Sequence, residues 1–251
     1  MAQVDAATVI ADFEAEQDAI EAMVSGLDEA GWLAPSAAEG WSISDVMLHL
    51  AQSEEAVVSS VTGAQISLLD SIPVVGDTVD EIMENRVRAE RGDPFVIFER
   101  WRTARRASVA ALRNADPDAR FPWAAAPLRP QAMATTRLAE HWAHALDIAE
   151  PLGVDYPDTD RLRHIAWLAH RTLPYGFGLA GDQPQPIYCE LEAPSGDTWT
   201  YGDPAAPSRI TGSAAAFCRV GAQRLAPDES GLVADGPHAA SALRVLRNYA
   251  A

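Results

Sequence analysis

Along the first two thirds of the chain apolar residues recur every three to four positions; beyond about residue 180 they alternate with polar ones. Val9, Ile10, Phe13, Ile20, Met23, Val24 and Leu27 make one apolar stripe, which predicts an amphipathic helix over about 6–27. "DEAGWLAPSAAEGW" then reads as a loop. Ser42 and Asp45 open the next periodic run in the S-x-x-D capping arrangement, so a second helix is expected over about 43–61, with His49 in its middle. Past a stretch holding Pro73 and Gly76, helical periodicity returns over about 79–90 and is interrupted by "GDP". Asp93 as N-cap and Pro94 at the first helical position start another run to about Asn114. The pattern leaves open whether these are one bent helix or two. "DPDARFPWAAAPLRPQ" reads as a long irregular connection ending at Thr135 or Thr136, where a helix begins, and a further helix is expected over about 159–172.

The alternating segment "GLAGDQPQPIYCELEAPSGDTWTYGD" turns at "PSGD", a hairpin signature. "SRITGSAAAFCRVGAQRL" follows as a strand, a cap at Ser213 and a helix, and "GLVADGPHAASALRVLRNYA" repeats strand, turn and helix. The pattern predicts an α+β chain: a helical bundle over 1–178 and a small α/β domain over 179–251.

Composition narrows what such a chain can do. A formal charge of −17 repels phosphate backbones and anionic membranes, so nucleic acid is excluded as the expected partner. The chain contains no lysine, which removes Schiff-base and P-loop chemistry. No run of about eighteen apolar residues occurs, and "MAQVDAATVIADFEAEQ" is acidic where a signal peptide is basic and then apolar, so a cytoplasmic protein is expected. Cys189 and Cys218 form no redox motif, and Cys218 in "AAAFCRVGA" reads as a small core residue.

Candidate chemistry gathers in "RLAEHWAHALD". On a helix, Glu140 and His144 share a face one turn apart and can reach one ion. His141 with His144 is the competing pair, and spacing alone does not choose between them. His49 is flanked by Val46 and Leu50 and should look inward. With Glu140 and His144 it would complete a two-histidine, one-carboxylate set that suits zinc or another first-row divalent ion and leaves positions open. Asp147 is placed to orient the His144 imidazole, and Arg137 to pair with Glu140. His164 and His170 fall on different faces of their helix, and neither they nor His238 join the set.

"GWSISDVMLHL", "RLAEHWAHALD" and "IYCELEAPSGDTWTYGD", in this order, resemble the mycothiol-dependent maleylpyruvate isomerase family, whose N-terminal part is a DinB-like four-helix bundle. The resemblance implies a metal held by a histidine on the second helix and by an E-x-x-x-H pair on a later one, hence by His49, Glu140 and His144 rather than His141. It implies an arginine near the metal, which Arg86 or Arg88 could supply, and assigns the Trp41 of "GW" to packing. It further implies mycothiol as cosubstrate, its metal-bound thiolate acting as nucleophile in S-transfer to, or isomerisation of, a small electrophile. On that reading the partners are a small-molecule thiol and an electrophilic substrate, and the chain is a monomer or homodimer. The alternatives are a non-catalytic metal- or small-ligand-binding protein and a metal-dependent hydrolase whose open position holds activated water.

Overall fold

A computed structural model describes residues 5–63, 78–123 and 126–249; the stretch holding Pro73 and Gly76 lies outside them. The chain divides into two compact units, Asp5–Arg137 with His144–Tyr156, and Leu138–Ala143 with the chain from Pro157 onward.

In the first unit, α1 spans Ala6–Val24, α2 Glu29–Leu33, α3 Ile43–Thr62, α4 Val79–Glu90 and α5 Pro94–Asn114; α6, Pro130–Leu152, lends it both of its ends. The segment expected to be a loop therefore contains a short helix. Asp28 accepts the Gly31 N–H at 2.8 Å and caps α2, whose five residues are too few to establish a periodicity. The capping box of α3 is complete: Ser42 Oγ accepts the Asp45 N–H, and Asp45 Oδ2 accepts the Ser42 N–H at 2.9 Å. Arg91 donates to both oxygens of Asp45 at 2.8 and 2.9 Å, which ties the start of α3 to the end of α4.

Helices α4 and α5 are separate. Arg91 leaves the helical region (φ −50°, ψ 138°), and Asp93 then caps the first turn of α5 by accepting from Phe95 and Val96. Helix α6 starts at Pro130, five residues before Thr135. Phe121 and Leu128 exchange backbone hydrogen bonds of 2.9 Å, bringing the connection to an end at Arg129, and a proline at the first helical position has no N–H to leave unpaired. The core of this unit is aromatic as well as aliphatic, with Trp32 and Phe98 centroids 5.1 Å apart and Trp101 fully buried beneath them. The first part of helix α3 is enclosed: every residue from Ile43 to Glu54 is buried.

The second unit holds α7, Leu162–Arg171, α8, Leu173–Leu179, and a four-stranded sheet with β1 Ile187–Glu192, β2 Thr198–Tyr201, β3 Ser208–Ser213 and β4 Val233–Asp235. Strand order is β2-β1-β3-β4; β1 pairs antiparallel with β2 and parallel with β3, and β3 pairs antiparallel with β4. Helices α9, Ala214–Gly221, and α10, Ala239–Val245, complete it, with Ser213 capping α9. Helix α8 is absent from the sequence reading because "LPYGFGL" carries two glycines and a proline. One of those glycines is required by packing, since a Cβ at Gly176 would stand 2.3 Å from the Val245 carbonyl oxygen. Among the described residues no helix is long and apolar enough to cross a membrane.

Candidate metal centre

Arg137, Glu140, His144 and Asp147 are spaced three, four and three apart, which sets all four on one face of α6. His49 comes from the middle of α3 and is buried. One donor atom from each of His49, Glu140 and His144 lies within 4.8 Å of the others. Donors around an ion with bonds of about 2.1 Å stand about 3.4 Å apart in a tetrahedron, so side-chain torsions alone can close the set.

The surroundings fix how these groups can act. His144 Nδ1 and Asp147 Oδ2 are 2.9 Å apart, and Asp147 is buried; an Nδ1–H donated to the carboxylate leaves Nε2 as the ligating nitrogen. Asp147 is held in turn through its own backbone, whose carbonyl accepts the Ala37 N–H at 2.8 Å. The imidazoles of His49 and His144 meet edge to face at 4.9 Å. The Trp41 ring is 5.2 Å from His49 and stacks on His144 at 6.1 Å, forming an apolar wall over both. The donor set, two imidazoles and one carboxylate, fits a divalent metal.

The remaining sequence candidates separate by burial. Arg86 is 5% exposed, and its Nη2 has no hydrogen-bond partner among the described residues; burial pulls the guanidinium below its ordinary value while Glu90 and Glu55 oppose this. Arg88 is exposed and pairs with Glu84 one turn earlier. His141 is fully buried and lies outside the donor cluster. His170 Nε2 stands 2.9 Å from the Ile187 carbonyl oxygen, and burial lowers the pKa of the ring. Cys189 and Cys218 are both buried; burial pushes the Cys189 thiol up to about 12 and raises Cys218 further. The sequence reading did not find the ion pair that Arg137 makes with Glu54 of α3, Nε to Oε1 at 2.8 Å with both side chains buried. Eighty-three residues separate the two, so no local spacing signals it.

Residues 13–149 match the family described as mycothiol maleylpyruvate isomerase N-terminal domain. Uncharacterised proteins from two strains of Mycobacterium tuberculosis are each 33% identical over 252 residues, covering 98% of this chain and 96% of theirs. A crystal structure of a mycothiol-dependent maleylpyruvate isomerase superposes with a TM-score of 0.60 at 17% identity, and one of its histidine-to-alanine variant with 0.61 at 16%; each covers 92% of this chain and 93% of the other.

Proposed function

This chain belongs to the mycothiol maleylpyruvate isomerase N-terminal domain family, and from that premise we propose that it is a divalent-metal enzyme using mycothiol, with zinc as the expected ion. The observation that carries the reading is the convergence of His49, Glu140 and His144, from two helices, to within 4.8 Å, with His144 oriented by Asp147. The reaction is isomerisation of, or S-transfer to, a small electrophile; maleylpyruvate, the substrate in the family's name, is the first to test.

When bound, a divalent ion supplies the positive charge that turns a thiol of ordinary pKa about 8.5 into a thiolate near neutrality. His49, Glu140 and His144 would hold that ion by two nitrogens and one oxygen and leave positions for the thiol and substrate. Asp147 keeps the His144 proton on Nδ1. Trp41 covers both imidazoles and limits the access of water, strengthening every electrostatic interaction beneath it. Arg86, buried and always charged, is the residue proposed to receive a substrate carboxylate or the negative charge that develops on an enolate.

The test is metal content together with turnover. Protein purified under metal-replete conditions should carry one divalent ion per chain, lose it in His49→Ala and in His144→Ala, and isomerise maleylpyruvate only when mycothiol is added. Wild-type protein that takes up no ion from a zinc-saturated buffer overturns the reading. Retained metal and thiol binding without isomerisation directs the search to S-transfer.

A further inference from the structure

Arg137 is not among the metal donors, yet it is buried on the donor face of α6, one turn before Glu140. Its partner Glu54 lies on α3, five positions after His49. Helices α3 and α6 therefore approach each other at two levels, at the donor set and at this ion pair. The Trp123 ring lies 6.0 Å from the Arg137 guanidinium carbon and packs against its face.

A buried ion pair is a poor source of stability, because an apolar pair of similar volume does as well or better. It does supply direction: a 2.8 Å hydrogen bond between charged groups fixes the axial and rotational register of two helices in a way that apolar packing does not. We infer that Glu54 and Arg137 are positioning residues that hold α3 and α6 in the register His49, Glu140 and His144 need to share one ion. This inference rests on the metal site proposed above. Neither residue belongs to the donor set; both act through the helices that carry it.

Zinc affinity, measured by competition with a chromophoric chelator, and the thermal midpoint of the metal-free protein test it together. E54M and R137M each remove one half of the buried ion pair and should lower the midpoint. The double variant E54M/R137M removes both charges and should recover a midpoint near that of wild type while binding zinc about tenfold or more weakly. With Co²⁺ as the probe, the visible ligand-field spectrum of the double variant should also change, which loss of stability alone would not produce. Should the double variant fail to fold, E54D keeps both charges and shortens one arm of the pair. It should remain folded and bind zinc several-fold more weakly. A folded E54M/R137M, or in its place a folded E54D, with wild-type zinc affinity and an unchanged cobalt spectrum overturns the inference. Wild-type protein that binds no zinc overturns the proposed function itself, a result distinguishable at the first titration.

Discussion

Asp147 is the residue whose role is sharpest at the level of a single side chain. Its carboxylate, 2.9 Å from His144 Nδ1, is placed to accept an Nδ1–H and so, on the proposed reading, to set the tautomer and ring orientation. Asp147→Asn keeps the shape but presents an amide whose NH₂ can face the ring nitrogen, favouring the tautomer that carries its proton on Nε2. Zinc affinity should fall by about 10- to 100-fold in chelator competition, while the variant still unfolds cooperatively. An affinity within a factor of two of wild type would show that His144 needs no such orientation. The shared face of Glu140 and His144 was legible in the sequence because four residues is about one turn of a helix. Spacing did not separate Glu140 from His141, and only the family resemblance chose between them: α6 is buried on most of its circumference, with His141, Ala145 and Ile148 all at 0% exposure, so no polar flank marks which side meets α3. Trp41 was read as a packing residue. It does pack against the core, and its ring also meets both imidazoles of the donor set.

At the level of elements, what was legible followed the strength of local signals. The starts of α3 and α5 were placed to the residue because Ser42 and Asp93 announce them chemically, and both side chains make their capping bonds. Helices α2 and α8 were missed because five and seven residues cannot display a periodicity, and α8 adds a proline and two glycines. The start of α6 was set too late because its first residue is a proline in a proline-rich connection, with no side-chain cap on Arg129 to mark it. The Ser42 cap matters more than most, since α3 carries His49 and the same Asp45 that closes the box also binds Arg91. Ser42→Ala should destabilise the protein by about 1 kcal/mol in urea unfolding. The variant should retain its zinc, because His49 lies nearly two turns further along, beyond the reach of a frayed end. A stability unchanged within error would mean that Arg91 alone holds the first turn through Asp45.

For the whole molecule, the most consequential property is that its own thiols are withheld from chemistry. Both cysteines are enclosed, Cys218 Sγ lying 3.6 Å from the Leu162 carbonyl oxygen, and burial raises both above the value of a free thiol. The fraction of thiolate near neutral pH is then negligible, and neither sulfur is reachable from solvent. With no lysine in the chain either, the protein offers neither a thiolate nor an ε-amine to an electrophile, which accords with the proposed use of a small-molecule thiol as the nucleophile. An aromatic disulfide reagent should therefore label no cysteine in the native protein and two per chain in guanidinium. The double variant Cys189→Ala and Cys218→Ala should retain full mycothiol-dependent turnover wherever it folds. Native labelling at a rate comparable to free cysteine, or turnover without added thiol that disappears in the alanine variant, would instead place the nucleophile within the chain, and the metal centre would then have to be reread as structural.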